Sequence, residues 1–302
     1  MRRALQLARN GEGRVSPNPL VGAVILHGDR IIGEGFHAFY GGPHAEVNAI
    51  NSVRPEDRPL LKDSVIYVTL EPCAHHGKTP PCANLIVDTG IPDVVVGALD
   101  PNPLVAGKGI KILKDAGINV EQGLLERECL DINRKFMKAQ TSEFPYITLK
   151  WAQSADGFMA AKKDGECIPV KFSSPLSSVW VHRQRASHDA IMVGGNTERI
   201  DKPRLDTRLW GGNSPRKFIA HYDYPVVDML REMRKNGITS VLVEGGETLM
   251  SWLILNNLFD EIRVETSSEN LGSGLKAPKI PQNVKLAGFN KCRDNIIEVF
   301  RR

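Results

Sequence analysis

A histidine and a glutamate two positions apart, in His44-Ala45-Glu46, precede two cysteines, Cys73 and Cys82, in the same half of a 302-residue chain. One imidazole nitrogen and two thiolates form a donor set that holds Zn²⁺ and leaves a fourth position open; three protein ligands mark a catalytic rather than a structural site. Zinc lowers the pKa of its bound water to about 7, and a nearby carboxylate that does not ligate the metal can move the released proton to a leaving amine. These residue types therefore predict hydrolytic deamination, with Glu46 as the catalytic residue and His44, Cys73 and Cys82 as metal ligands. Taking His75 or His76 as the third ligand is the alternative, and it leaves His44-Ala45-Glu46 without a role.

Both cysteines lie in TLEPCAHHGKTPPC, Thr69 to Cys82. Zinc deaminases pair His-x-Glu with Pro-Cys-x-x-Cys, whereas here eight residues separate Cys73 from Cys82. That insertion puts His75, His76 and Lys78 beside the ligands, where imidazoles and an ammonium can hold a phosphate or a sugar hydroxyl. Pro81-Cys82 suits a helix start, since proline is tolerated in a first turn and a helix N-terminus stabilises a thiolate. The five cysteines, which also include Cys129, Cys167 and Cys292, are odd in number and scattered. They predict reduced thiols rather than a disulfide framework, with Cys129 and Cys292 buried or incidental.

The elements that position these residues alternate in the manner of an α/β protein. LVGAVILHG and RIIGEGFHA flank a hairpin turn at His27-Gly28-Asp29-Arg30; HAEVNAINSV has helical spacing; SVIYVTL and PDVVVGAL are buried strands; PCANLIVDTG is a helix opened by Pro81 and closed by Gly90. After the helix and strand of GKGIKILKDAGINV, the run LLERECLDINRKFMKAQ is predicted as one charged amphipathic helix. Pro145 then resets the chain, so a boundary is expected near Ser142, giving domains 1–143 and 144–302. The second half alternates again: DAIMVGG and ITSVLVEGG are strands, VVDMLREMRKNG and ETLMSWLILNN are helices, and the sheet is expected to be mostly parallel. There is no low-complexity segment and no internal repeat.

PNPLVGAVI, GGPHAEVNAI, VTLEPCAHHGKTPPC and DPNPLVAGKGI, in that order, resemble the bifunctional riboflavin-biosynthesis deaminase/reductases. The HHGKTPPC insert is the most specific part; cytidine and transfer-RNA adenosine deaminases show Pro-Cys-x-x-Cys instead. The resemblance implies a cytidine-deaminase-like three-layer domain in which His44, Cys73 and Cys82 bind zinc and Glu46 shuttles protons. It also implies that Asn18, His37, His75, His76, Lys78 and the Asp100 loop surround a pyrimidine ribose phosphate.

The second half offers no metal cluster and no Gly-x-Gly-x-x-Gly, only glycine pairs at strand ends, Gly194-Gly195 and Gly245-Gly246, where backbone amides can approach a phosphate. Arg185 and Arg208 are candidates for a sugar-phosphate clamp. LKWAQSADGFMA, VHRQRASHDAIMVGGNTERIDKPRLDTR and SVLVEGGETLM resemble the reductase half of the same family, related to dihydrofolate reductase. That resemblance implies an α/β fold that uses NADPH to turn a ribosylamine into a ribitylamine. Lys150, Arg185, Leu205, Arg208 and Glu244 would surround the ribose phosphate, and Ser154, Asp156, Thr197, Asp201, Gly245 and Gly246 the cofactor. No side chain is an obvious proton donor; Glu244, Asp201 and water are the candidates.

Two departures from the family stand out. RKFIAHYDYPVVDMLREM joins a strand to a helix almost directly, so the domain is shortened near 218–226 by roughly a strand, a helix and a loop, about 50 residues. Parallel strands need a crossover, which makes the omission awkward. ECIPVKFSSPLS, in turn, replaces a tryptophan-containing segment. An active deaminase fused to a degenerate, structural reductase half is therefore the alternative reading.

Composition narrows the remaining classes. Hydrophobic residues at 41% and charged residues at 25% suit two globular domains, each able to bury a core. No apolar run is long enough for a membrane span and the N-terminal MRRALQLARNGEG lacks the pattern of a signal peptide, so a cytoplasmic location is expected. A net charge of +4 without a polybasic tail, and aromatics at only 6%, argue against a nucleic-acid deaminase, which needs a basic groove and stacking rings. Partners are expected to be a phosphorylated pyrimidine and, by the resemblance, further copies of the chain in a dimer or tetramer.

Overall fold

The computed structural model describes residues 1–74, 80–102 and 106–302. The chain divides into two compact units, Met1–Ser142 and Glu143–Arg302. No helix among the described residues is long and apolar enough to cross a membrane.

In the first unit the elements run α1 (Arg2–Ala8), β1 (Gly22–His27), β2 (Arg30–Phe36), α2 (Ala45–Asn51), β3 (Val65–Leu70), α3 (Cys82–Thr89), β4 (Asp93–Ala98), α4 (Lys108–Asp115), β5 (Asn119–Gln122), α5 (Glu126–Ile132) and α6 (Arg134–Thr141). The sheet order is β2-β1-β3-β4-β5. β1 is antiparallel to both β2 and β3, and the remaining pairs are parallel. The hairpin turns at Gly28, with His27 paired to Arg30. Ile25, Ile66, Val68, Val94 and Val96 pack with Ala45, Ala49, Ile86 and Leu113 of α2, α3 and α4; on the other face Val24 meets Ala4 and Leu7 of α1, and at the strand ends Leu70 and Ala98 meet Leu5 of α1 and Cys129 of α5. Helices on both faces of one sheet make three layers.

Two local features set the site. A Cβ at Gly35 would lie 2.3 Å from Ala49 N and 2.5 Å from Ala45 O, so α2 rests on bare β2 backbone, and this close approach fixes the start of α2. Secondly, the single helix expected over LLERECLDINRKFMKAQ is two helices. Asn133, 2% exposed, leaves helical geometry at φ −103°, ψ 12°. Its side chain accepts from Leu20 N (2.7 Å) and donates to Leu20 O (2.9 Å), tying the loop that carries Asn18 to this break.

The second unit contains β6 (Tyr146–Gln153), β7 (Phe158–Lys163), β8 (Glu166–Pro169), α7 (Pro175–Ala186), β9 (Ala190–Gly194), α8 (Gly195–Asp201), β10 (Arg216–Ala220), α9 (Val226–Lys235), β11 (Ser240–Val243), α10 (Glu247–Leu255), β12 (Glu261–Thr266), β13 (Leu275–Lys276), β14 (Lys285–Cys292) and β15 (Asn295–Arg301). The main sheet runs β10-β9-β11-β6-β12-β15-β14, parallel from β10 to β12 and antiparallel thereafter, and β13-β7-β8 form a small second sheet. Ile147, Leu149, Met192, Val241, Val243 and Ile262 bury one sheet face against Leu230 and Met233 of α9 and Met250 and Leu253 of α10.

The shortened connection proves topologically complete. β10 leads into α9, and α9 returns the chain to β11, with β9 lying between the two parallel strands. The helix is thus itself the crossover that parallel pairing requires, and β10 is left as the edge strand. ECIPVKFSSPLS forms β8 and then caps α7, whose Ser177 N donates to Ser174 Oγ at 3.1 Å.

Gly35→Ala forces α2 off the hairpin and should destabilise the first unit by about 1–3 kcal/mol. Urea unfolding would show a lower midpoint, and an unchanged one would contradict the close approach.

Candidate active sites

His44 is the N-cap residue of α2, and its side chain makes no capping bond, which leaves the ring to face the cysteines. Its Nδ1 lies 3.5 Å from Cys73 Sγ and 3.3 Å from Cys82 Sγ, and one donor atom from each residue falls within 4.8 Å of the others. Bond lengths near 2.0 and 2.3 Å put nitrogen and sulfur donors on a tetrahedral zinc roughly 3.5 Å apart. The three residues therefore fit the ion in both chemistry and spacing. Cys73 follows β3, Cys82 opens α3, and Cys82 N donates to Cys73 Sγ at 3.2 Å. The Cys73 thiol is held well below its ordinary value, first by the hydrogen bond with the Cys82 thiol and also by His44 and Cys82 N–H; Cys82, which shares that proton and is buried, is pushed up. The cysteines Cys129 and Cys292 are buried away from this cluster.

Glu46 sits in the first turn of α2 and is 3% exposed. Burial pushes its carboxyl up to about 7, so it is poised to both take and give a proton near neutrality. It lines a cavity of about 330 Å³ together with Asn18, His37, His44, Cys73 and Asp100. That volume suits a small molecule. His37 Nδ1 donates to Pro43 O (2.9 Å), so Nε2 accepts from Asn18 Nδ2 (3.1 Å). Burial lowers the His37 pKa, keeping the ring neutral. Asp100 Oδ1 accepts from Asn102 N at 2.8 Å and so caps its own loop. His75, His76 and Lys78 lie outside the described residues.

Glu71, in front of Pro72-Cys73, is absent from the sequence-based set of site residues. Its carboxylate, 5% exposed, accepts from the backbone N–H groups of Asp100 (3.3 Å), Gly107 (3.0 Å), Gly109 (3.0 Å) and Ile110 (3.4 Å). It thus satisfies the orphan donors at the start of α4 and ties the Asp100 loop to the strand that presents Cys73. Gly109 permits this: a Cβ there would lie 2.0 Å from Pro72 O. An acid closing a buried strand was the available signal. Phe136 and Gln140 of α6 also line the cavity, brought there by the break at Asn133.

In the second unit Arg185 and Glu244 form a bidentate pair, Nε–Oε1 2.9 Å and Nη2–Oε2 2.7 Å, with both side chains nearly buried. Burial raises the Glu244 carboxyl, but the Arg185 hydrogen bonds and the charge of Lys150 outweigh it and hold the group below the usual range. Glu244 is a carboxylate and a poor proton donor. Arg185 Nη1 also donates to Asp206 O at 3.2 Å. Leu205 stands at φ 52° with its side chain packed against Ile191, Val193 and Leu242, so only its main chain is available to a ligand. Arg208 pairs with Asp206, and buried His182, absent from the sequence-based set, joins this cluster, its pKa lowered by burial and by Arg185 and Arg208.

A separate cavity of about 280 Å³ lies where β9, β10 and β11 end, lined by Gly194, Gly195, Thr197 and Gly246 among others. α8 and α10 both begin there on glycine caps without side-chain capping bonds, Gly194 and Gly246. Uncapped N–H groups at a cavity fit the pyrophosphate of a dinucleotide. Thr197 and Gly246 fall at this cavity; Gly245 adjoins it, with its Cβ position 3.6 Å from Gly194 N. Asp201 ends α8, its pKa raised by burial. Ser154 and Asp156 do not line it: Ser154 Oγ bonds to Asp156, which accepts from Leu271 N (3.1 Å) and Gly272 N (2.7 Å), knitting a turn to a distant loop.

The fold and these sites define a two-unit enzyme, a zinc-dependent deaminase joined to a reductase. The chain belongs to the RibD family of riboflavin-biosynthesis proteins and is a bifunctional deaminase/reductase that uses zinc and NADPH. Residues 1–98 match the cytidine and deoxycytidylate deaminase zinc-binding region, and residues 145–300 match the RibD C-terminal domain. The riboflavin biosynthesis protein RibD of Bacillus amyloliquefaciens is 36% identical over 343 residues, covering 97% of this chain and 89% of the relative. That of Haemophilus influenzae is 40% identical, covering 95% and 90%. Both alignments are longer than this chain, so the relatives carry residues it lacks. Among solved structures, the diaminohydroxyphosphoribosylaminopyrimidine deaminase/5-amino-6-(5-phosphoribosylamino)uracil reductase of Thermotoga maritima superposes with a TM-score of 0.89 at 34% identity, covering 100% of this chain and 97% of that one.

Glu71→Ala orphans buried N–H groups and should cost about 1–3 kcal/mol. Zinc affinity should fall with it, as read by urea unfolding and chelator competition. Because the Glu244 pKa is depressed in the fold, its stabilising contribution is complete above the unfolded value of about 4.3 and is lost as pH falls through the folded value. The stability gap between the wild type and Glu244→Gln, measured by urea, should therefore shrink from pH 7 to pH 3; a constant gap would contradict the ion pair.

Proposed function

We propose that Met1–Ser142 deaminates 2,5-diamino-6-ribosylamino-4(3H)-pyrimidinone 5′-phosphate and that Glu143–Arg302 then reduces the ribosyl chain of the product to a ribityl chain. The observation that carries the first half is the convergence of His44, Cys73 and Cys82 beside a buried glutamate at a cavity of small-molecule size. A zinc ion held by these three side chains would supply an activated water. Glu46 is placed to take up a proton and return it to the departing amine; overall a C–NH₂ bond is exchanged for C=O, with water consumed and ammonia released. Asn18 and neutral His37 orient the pyrimidine. His75, His76 and Lys78, with the Asp100 loop, take the ribose phosphate.

For the second half, Arg185 and Lys150 offer positive charge to the phosphate, with Arg208 at the rim and Glu244 holding Arg185 in place. NADPH, which the glycine-capped ends of α8 and α10 would hold, would supply the hydride for reduction at C1′ of the open-chain imine. Glu244 being ionised, solvent water provides the proton. The complete β10–α9–β11 crossover favours a working reductase over an inert one. Cytoplasmic location and homo-oligomerisation, with no nucleic-acid partner, complete the reading.

Glu46→Gln should lower ammonia release by about 10²–10⁴-fold. Bound zinc should stay at wild-type content, and NADPH oxidation with the deaminated substrate should persist. Ammonia release at the wild-type rate would overturn the role of Glu46, and failure of the wild type to release ammonia from this substrate would overturn the assignment of substrate.

A further inference from the structure

The reductase cavity has a wall that the shortened connection builds. His221, Tyr222, Tyr224 and Pro225, from the segment that joins β10 to α9, line it together with Trp252 of α10. Tyr224 is held by a hydrogen bond from its hydroxyl to Glu232 Oε2 (3.1 Å); Trp252 is 38% exposed and Tyr222 92% exposed. The sheet order determines which part of a dinucleotide reaches this wall. The Arg185–Glu244 pair and Lys150 stand at β11 and β6, so the reacting nicotinamide must lie toward those strands. The other end then extends past β9 to the edge strand β10, three strand spacings or about 14 Å from β6.

We propose that Trp252 and Tyr222 grip the adenine of the cofactor, and that this wall leaves the enzyme able to bind NADH nearly as well as NADPH. Aromatic faces stack on adenine whether or not the ribose carries a 2′-phosphate. Recognition of that phosphate requires charge-assisted donors, usually arginine. Among the described residues lining the cavity none is Lys or Arg. The connection itself contributes an acid, Asp223. A hydrogen bond to a charged group is worth roughly a 10- to 150-fold preference, and this wall offers none from a permanent cation.

The inference rests on the reductase reading given above. It is tested by titrating the zinc-loaded full chain with NADPH and with NADH and following the fluorescence of the bound reduced nicotinamide. The two dissociation constants should agree within about tenfold. Trp252→Ala and Tyr222→Ala should each weaken both cofactors in parallel, by about 5- to 150-fold. Tyr222 is almost wholly exposed, so its variant tests the wall without threatening the fold. A preference for NADPH beyond about tenfold would overturn the relaxed selectivity while sparing the reductase assignment. Unchanged affinities in both variants would overturn the aromatic grip. No saturable binding of either dinucleotide to the wild type would overturn the reductase reading along with the proposal.

Discussion

Two sulfur donors and an imidazole nitrogen crowded within 4.8 Å form an arrangement that a protein does not hold without reason. Adjacent thiolates repel; the hydrogen bond between them depresses the Cys73 thiol and raises that of Cys82. A divalent ion removes the conflict outright, since both sulfurs then bind as thiolates. The first unit is arranged around this requirement. α2 lies on the bare backbone of Gly35 so that His44 caps it at the right place, and Glu71 anchors the start of α4 against the Pro72-Cys73 turn.

The same economy governs Glu46. A carboxylate this deeply buried is costly, and burial, helped by the charge of Cys73, raises its pKa toward neutrality. That cost is what makes it useful, because a group that titrates near the working pH can both accept and return a proton. In the second unit a buried glutamate meets the opposite fate. Glu244 is paired with Arg185 and stays ionised, so it serves to orient the guanidinium rather than to donate a proton. Two buried carboxyls with different neighbours thus take different roles.

Much of this was legible from residue order. The α/β alternation, the hairpin at Gly28 and the donor set all follow from local pattern, because strand and helix periods and ligand chemistry are properties of short segments. Other features were not. LLERECLDINRKFMKAQ carries an unbroken helical period, yet Asn133 ends one helix there because Leu20, far away in the chain, offers it two hydrogen bonds. The short link after β10 looked like a missing crossover until the strand order put β9 between β10 and β11. The bonds of Ser154 and Asp156 to each other and to the 271–272 loop join segments more than 100 residues apart, which no local pattern announces.

The sequence by itself determined the chemistry of the first half, one histidine, two cysteines and a glutamate of the right types, and for the second half a resemblance to an NADPH-dependent reductase. The tertiary structure decided which groups are charged, which hold others in place and what closes each cavity. Glu71, His182, Phe136 and the aromatic wall of Tyr222 and Trp252 acquire their roles only when distant segments meet. Ionisation, hydrogen-bond satisfaction and cavity shape depend on contacts between residues remote in sequence, and no local pattern encodes them.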